Sequence, residues 1–418
     1  MLRSSTRIRP STGLRATLRF SKGRFVSVLG ILLGGMIAQP SAQGFPLFYW
    51  AEQAQLTASN GTPSDEFGRS VALDGDTLVV GAPRAQAAYI LRRVGDTWTE
   101  TAQLTTSDAS IERFGISVAI DGDTVVVGAL AEDDVAGESE RGAAYVFTEA
   151  GGVWTETAKL TASNGTEDDF FGGSVAIAGN TVVVSAIGAD DTKGAAYVFT
   201  EVGGVWTETA TLTASNGAAY DWFGISVAIA RNTIPSTVVV GAIGKAAYVF
   251  RRSWWSGTWT ETAQLLPPQV SGGAFGWSVA IDGDRVVVGD PGTSNLGVGH
   301  AFVFLRYGSG WIFDYFVASD GSFDNRFGES VAVAGDRVVV GAPYADDYQG
   351  AAYVFSLTAT GWTQRKLVSL GRAPGDDFGR SVAIAGNTLV AGAPNADVGG
   401  NSSQGAAYVF VRQLLLFP

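Results

Sequence analysis

The dipeptide Phe-Gly recurs seven times along the chain, at intervals of 47, 57, 52, 52, 52 and 51 residues. Each pair is followed, after one intervening residue, by Ser-Val-Ala. A tight turn such as Asp74-Gly75-Asp76 comes next, and then a Val-rich run that ends in Gly-Ala-Pro or a variant of it. A third run contains Ala, Tyr and Val, and six copies add a fourth that contains Trp. The seven phenylalanines are Phe67, Phe114, Phe171, Phe223, Phe275, Phe327 and Phe378.

This repeat predicts an all-β fold. Alternating small and β-branched residues on both sides of a glycine turn are typical of antiparallel hairpins. Four short strands in about 50 residues are typical of a propeller blade. The small residues of the first strand suit a crowded hub, while Tyr and Trp fill the wider space between blades farther out. We therefore predict a seven-bladed β-propeller of four-stranded antiparallel blades.

The two ends of the chain are expected to close the ring. The last copy reaches Pro418 without a Trp strand, whereas residues 50–56 match the fourth strand at 98–104. Leu56 lies 11 residues before Phe67, as Leu160 does before Phe171. Residues 50–56 are thus predicted to form the outer strand of the seventh blade by pairing with residues 406–410. This pairing would also cover an edge strand that could otherwise aggregate.

Residues 1–43 are predicted to be a signal peptide that precedes a propeller domain over residues 44–418. Seven basic residues and no acidic residue come before an apolar run of 14 residues, from Phe25 to Ala38. That run is short for a membrane span and suits the core of an export signal. An uncleaved N-terminal anchor is the alternative. In either case we expect the domain to be secreted or held at the cell surface.

Charge and composition narrow the classes of function. Without the N-terminal segment the chain has 21 basic and 40 acidic residues, a net charge of −19 that disfavours nucleic acid and anionic lipid as partners. The absence of Cys excludes disulfides, thiolate metal sites and a cysteine nucleophile. The only histidine, His300, replaces an Ala of a predicted strand, so no multi-histidine site or triad can be derived. We expect a monomer without cofactor, metal or membrane span in the mature chain.

The repeat resembles the FG-GAP repeat family, best known from the seven-bladed N-terminal propellers of integrin α chains. The resemblance covers residues 50 to about 413 and implies the propeller fold. For function it implies an adhesion module, part of a secreted enzyme or a bacterial surface protein. The family often binds calcium in the turn between its first two strands. Here turns such as Asp74-Gly75-Asp76 are too short to supply six to eight oxygens, so we expect no calcium there. Copy four has an insertion at residues 234–236 and should have an irregular turn.

Binding residues are expected where single copies depart from the repeat. The loops from strand two to three and from strand four to the next blade share one face, and variable loops on a rigid ring often bind. On that face Phe170 and Trp222 directly precede the Phe-Gly pair, and Trp277 directly follows it. We interpret them as a platform for a sugar ring or an extended peptide, with local packing as the alternative. Trp254 and Trp255 should lie on the opposite face.

Acidic residues beside these aromatics complete the predicted site. Asp168, Asp169 and Asp221 are the expected polar neighbours. The function predicted is an extracellular binding or adhesion module for a protein or a carbohydrate, without catalysis. The alternative is a polysaccharide hydrolase or lyase that uses acids near the channel mouth. Because paired acids occur in most copies, they look like loop composition rather than one catalytic site.

Overall fold

The computed structural model describes residues 47–106, 108, 112–130, 141–230, 236–267, 273–292, 298–321 and 324–415. These residues form seven four-stranded antiparallel sheets. The first strands of neighbouring sheets contact one another around a closed ring, which confirms the predicted seven-bladed propeller. The expected signal segment at 1–43 and most of the expected irregular turn of copy four, residues 231–235, lie outside the described residues.

Each blade runs outwards from the centre in chain order, except that the outer strand of blade seven comes first in the chain. That strand is β1 (Leu47–Leu56). Blade one comprises β2 (Ser70–Asp74), β3 (Thr77–Ala82), β4 (Ala87–Val94) and β5 (Thr97–Leu104). Blade two comprises β6 (Ser117–Asp121), β7 (Thr124–Ala129), β8 (Ala143–Ala150) and β9 (Val153–Leu160). Blade three comprises β10 (Phe171–Ala178), β11 (Thr181–Ala186), β12 (Ala195–Val202) and β13 (Val205–Leu212).

The remaining blades follow the same order. Blade four comprises β14 (Val227–Ile229), β15 (Thr237–Ala242), β16 (Ala246–Arg252) and β17 (Trp259–Leu265). Blade five comprises β18 (Ser278–Asp282), β19 (Arg285–Asp290), β20 (His300–Tyr307) and β21 (Gly310–Phe316). Blade six comprises β22 (Val331–Ala334), β23 (Arg337–Ala342), β24 (Ala351–Thr358) and β25 (Gly361–Leu367). Blade seven comprises β26 (Ser381–Ala385), β27 (Thr388–Ala393) and β28 (Ala406–Leu415), with β1 outside them.

The ring closes through β1, as predicted. This strand pairs antiparallel with β28 along its length, so the pairing extends beyond the predicted residues 50–56. Leu56 is buried in a cluster that includes Phe67 of blade one and Val409 of blade seven. At the hub, the Oγ of Ser381 donates a hydrogen bond of 2.8 Å to the carbonyl of Gly68. Blades seven and one are therefore joined both at the centre and at the rim.

The core lies between blades. In one cluster Val79 and Leu104 of blade one pack with Phe114 and Tyr145 of blade two. The Phe114 ring lies 5.6 Å from Tyr145 and 6.0 Å from Phe147, the latter edge to face. Each phenylalanine of the seven pairs is at most 1% exposed. These aromatics are therefore scaffold, because adjacent blades are held together by burying them.

A hydrogen bond and a close approach join neighbouring blades at the hub. Ser70 Oγ donates to the carbonyl of Gly115 in the next blade at 2.9 Å. A Cβ on Gly81 would lie 2.0 Å from that carbonyl, so only glycine fits there. Blade three has Ser185 at this position, and its Oγ accepts a hydrogen bond from the N–H of Ser174 at 2.9 Å. The junction between blades three and four is consequently built differently.

Short segments complete the described fold. Two one-turn helical segments, Ala189–Thr192 and Ala345–Tyr348, and a 3-10 turn, Pro83–Ala85, lie between second and third strands. Each one-turn segment contains two consecutive Asp residues with positive φ. Among the helices in the described part of the chain, none is long and apolar enough to cross a membrane.

The turns between first and second strands connect blades through their acidic residues. The carboxylate of Asp74 accepts a 2.8 Å hydrogen bond from the N–H of Gly122, which lies in the corresponding turn of the next blade. Asp282 accepts one of 2.6 Å from Gly335 in the same way. These carboxylates therefore have a structural role. That the turns do not bind calcium stays a prediction.

Candidate binding site at the channel mouth

Each Phe-Gly pair forms the centre of a four-residue turn that leads into the innermost strand. The N–H of the residue after the pair donates to the carbonyl of the residue before it in all seven copies, at 3.0 to 3.4 Å. Because the innermost strands line the channel, these two residues surround its mouth on one face. We call those before the pair entry residues, namely Glu66, Arg113, Phe170, Trp222, Ala274, Arg326 and Asp377. Those after the pair are exit residues, namely Arg69, Ile116, Gly173, Ile225, Trp277, Glu329 and Arg380.

Six entry residues have a left-handed backbone, with φ between +49° and +58°. The exception is Ala274. This conformation is uncommon for any residue with a Cβ and is an outlier for bulky ones, at a cost of about 1 kcal/mol. Phe170 and Trp222 accept that cost although the same turn forms elsewhere with Arg, Glu or Asp. Because six copies share this conformation, the strain belongs to the turn itself, and the exposed aromatic side chains are what distinguishes these two positions.

Blades six, seven, one and two contribute a charged arc to the mouth. Glu329, whose side chain is 3% exposed, lies 3.0 Å from Arg326 Nε and 3.0 Å from Arg380 Nη1. Burial and the nearby Arg380 lower the pKa of Arg69. Burial raises the pKa of Asp377, although Arg380 opposes this shift. The charged arc consists of Arg326, Glu329, Asp377, Arg380, Glu66, Arg69 and Arg113.

Blades three to five contribute an apolar arc, which consists of Phe170, Trp222, Ile225 and Trp277. Phe170 is 36% and Trp222 is 42% exposed. Trp277 is half-buried, and the guanidinium of Arg326 lies 5.2 Å from its ring centre. The same guanidinium lies 5.3 Å from the ring of Tyr344. The three predicted aromatics thus share one rim, with Trp277 at the boundary of the two arcs. Their role in binding stays a prediction.

The three predicted aspartates have different surroundings. Asp169 is 3% exposed and accepts hydrogen bonds from Thr166 N at 2.7 Å and Thr166 Oγ1 at 2.8 Å. Asp221 accepts one from Ala218 N at 2.6 Å and forms an ion pair with Lys245. Both carboxylates hold the loop before the Phe-Gly turn. The side chain of Asp168 is exposed, so of the three it is best placed to meet a ligand.

Sequence reasoning missed the structural role of these aspartates, although a signal was present. Thr166 and Asp169 are three residues apart, as are Thr62 and Asp65 in blade one, and Asp65 accepts the same two hydrogen bonds at 2.6 and 2.7 Å. A spacing that recurs between copies indicates a loop brace rather than a site. The Arg326 contact with Trp277 could not be found in this way, since it joins two different blades.

The opposite face carries other exposed aromatics. Trp254 and Trp255 are 67% and 79% exposed, with ring centres 3.4 Å apart, in the turn between β16 and β17. They lie on the opposite face, as expected from the antiparallel order of the strands. His300 lies in β20, where its ring stacks on Phe302 at 5.7 Å and approaches Tyr315 at 5.9 Å. The histidine ring thus packs within blade five.

A cleft of about 590 Å³ lies on the face opposite the mouth, at the closure between blades seven and one. It is lined by charged groups that already have partners. Arg93 forms an ion pair with Asp76 and donates to Thr388 Oγ1 at 3.2 Å. Arg412 lies 4.0 Å from the centre of the Phe48 ring. These contacts hold the closure together, so the cleft is a weaker candidate than the mouth.

Comparisons with known proteins agree with this architecture. A family model described as FG-GAP repeat matches seven times, over residues 50–91, 98–147, 154–199, 206–250, 259–304, 315–355 and 362–410. A solved structure titled "Structure of U3-55K" has a TM-score of 0.54 over 85% of this chain and 97% of that chain, at 10% identity. That likeness shows the fold alone.

The family matches also explain the ring closure. Each match contains the outer strand of one blade followed by three strands of the next, so seven tandem units leave a single outer strand at the start of the chain. Closure by β1 is therefore a consequence of the repeat itself. With seven matches that together span most of its length, the chain belongs to the FG-GAP repeat family.

Proposed function

We propose that this protein is a secreted or cell-surface binding module that holds a protein or carbohydrate ligand at the channel mouth and catalyses no reaction. One observation carries the proposal. At equivalent positions of one ring, blades six and seven place charges that pair with one another, whereas blades three and four expose Phe170 and Trp222. Exposed aromatics that the scaffold does not require are typical of binding surfaces.

The chemistry of the mouth suits a ligand with an apolar face and a polar edge. A sugar ring or an extended peptide could lie on Phe170 and Trp222, with polar groups directed toward Asp168 and the charged arc. The ring of blades fixes both arcs in advance, so binding would require little ordering of the protein.

Two observations support the absence of catalysis. Asp169 and Asp376 direct their carboxylates to loop N–H groups, at 2.7 Å from Thr166 and 2.6 Å from Ala373, rather than toward a shared cavity. His300 packs among aromatics of blade five. A glycoside hydrolase would instead need two carboxyl groups that face one bond.

Export is part of the proposal and depends on the N-terminal sequence. The basic segment and the 14-residue apolar run suit an export signal, and a surface with excess acid suits an exposed, soluble module. Detection of the protein outside the cell, followed by N-terminal sequencing of the exported form, would test this point.

Glycan and peptide arrays probed with the purified protein test the function. We expect a ligand whose affinity falls at least about tenfold in Trp222→Ala, since losing one aromatic contact removes about 1.4 kcal/mol or more. Trp255→Ala is the matched control, because it removes an exposed Trp from the opposite face. Equal losses in both variants would argue against the mouth. Release of reducing ends from a bound glycan would show an enzyme instead.

A further inference from the structure

On the face opposite the mouth, side chains at two recurring positions link blade one to blade two. Arg92, three residues after Tyr89 in blade one, forms an ion pair with Glu149, four residues after Tyr145 in blade two. Glu149 is largely buried, with a side chain 9% exposed. At this junction, opposite charges from adjacent blades neutralise each other.

The junction between blades four and five has two positive charges at these positions. Arg251 lies three residues after Tyr248, and Arg306 lies four residues after Phe302. At the five other junctions, the corresponding pairs are Thr148 and Glu201, Thr200 and Arg252, Leu305 and Leu357, Ser356 and Arg412, and Val411 and Arg93. The junction of blades four and five is thus the one where like charges occupy both positions.

Both arginines line a cleft of about 40 Å³. Thr237, Thr262, Ser309 and the exposed Asp284 also line it, and the hydroxyl of Thr262 donates to the carbonyl of Val249 at 3.2 Å. The Nε of Arg251 is buried and has no hydrogen-bond partner among the described residues. A buried guanidinium N–H without a partner is costly, so an acceptor placed in this cleft would stabilise it.

We propose that this cleft binds one oxyanion, a sulfate, phosphate or carboxylate group, between Arg251 and Arg306. Two guanidinium groups against one carboxylate leave the cleft with a net positive charge, in a protein that is acidic overall. Guanidinium forks match the geometry of oxyanions, and the hydroxyl of Ser309 can donate to a remaining oxygen. The small volume admits one anionic group and excludes a sugar ring. The bound anion takes the place that Glu149 has at the first junction.

Thermal unfolding of the purified protein in different salts tests the proposal. Sodium sulfate, phosphate and acetate are each compared with sodium chloride at equal ionic strength. We expect the Tm to rise by about 2 °C or more in at least one of the three, in a way that saturates, as for a ligand that binds the folded state. A response to sulfate and phosphate alone identifies a tetrahedral anion, whereas a response to acetate identifies a carboxylate group.

Charge variants separate this site from general salt effects, because sulfate also stabilises proteins by exclusion from their surface. Arg306→Glu rebuilds the ion pair of the first junction, so it should raise the Tm in chloride and abolish the specific response. Arg306→Gln removes one charge and should also abolish the response. Glu149→Arg creates a second like-charge junction and should lower the Tm in chloride. If the wild type and both Arg306 variants respond equally to every anion, the proposal is wrong.

Discussion

Replacing Glu329 by Gln removes a buried negative charge that organises the charged arc of the mouth. The carboxylate lies 3.0 Å from both Arg326 Nε and Arg380 Nη1, and its side chain is 3% exposed. Glutamine keeps the size of the side chain but removes the carboxylate that both guanidinium groups contact, although Asp377 still attracts them electrostatically. We therefore expect a large loss of stability from a change that alters no packing volume.

The size of this loss in stability follows from the two Glu329–Arg distances and from the burial of the Glu329 side chain. A unit charge pair at 3.0 Å is attracted by about 5 to 6 kcal/mol at an effective dielectric constant of about 20, before the cost of desolvation. Breaking a buried ion pair by removal of one partner costs about 3–5 kcal/mol. The side chains of Arg326 and Arg380 are 26% and 18% exposed and can recover some hydration. The expected loss in the free energy of unfolding is about 3 kcal/mol.

Urea unfolding followed by tryptophan fluorescence measures this loss. Glu149→Gln is the matched control, because Glu149 has a single ion-pair partner, Arg92, which is 38% exposed. For an ion pair with such an exposed partner, we expect a loss below about 1 kcal/mol. A loss below about 1 kcal/mol in Glu329→Gln, or equal losses in both variants, would contradict the bridging role of Glu329.

Two further predictions concern the closure and pH. Leu56→Ala in β1 should lower the free energy of unfolding by about 2–5 kcal/mol, because the side chain is buried. The matched change Leu104→Ala in β5 should cost a similar amount, since Leu104 is buried at the equivalent position. If urea unfolding shows a cost near zero for Leu56→Ala, closure by β1 is contradicted. Burial lowers the pKa of His300, so the unfolded chain takes up a proton that the folded chain resists. The folding stability should therefore fall as the pH drops below about 6.5. In thermal unfolding between pH 7.5 and pH 5.5, His300→Ala should show a smaller fall in Tm than the wild type. An equal fall in both proteins would exclude His300 as the source.

Sequence periodicity was sufficient for the fold because the repeat specifies each strand seven times. The spacing of Leu56 from Phe67 even located the closing strand, although its extension to residues 47–49 departs from the Trp-strand pattern. Exceptions to the repeat were harder to interpret. The effect of Ser185 depends on a carbonyl in the next blade, which the linear sequence does not place beside it.

For the candidate site, sequence reasoning identified residue types but not partners. Phe170 and Trp222 stood out because they replace polar residues at a repeated position. The contact of Trp277 with Arg326 and the bridging role of Glu329 join residues about 50 positions apart, and each residue alone looks like ordinary loop composition. Comparing the copies position by position around the ring would have revealed the Arg251 and Arg306 junction, because the neighbouring blades are consecutive in the chain.

Amide hydrogen exchange, with and without a ligand identified on the arrays, tests the claim that the apolar arc of the mouth binds the ligand. We predict slower exchange on ligand binding in residues 168–173 and 220–225, which contain Phe170 and Trp222. The turn at 253–257 on the opposite face should not change. Protection confined to that turn, or to the cleft between blades seven and one, would contradict the claim.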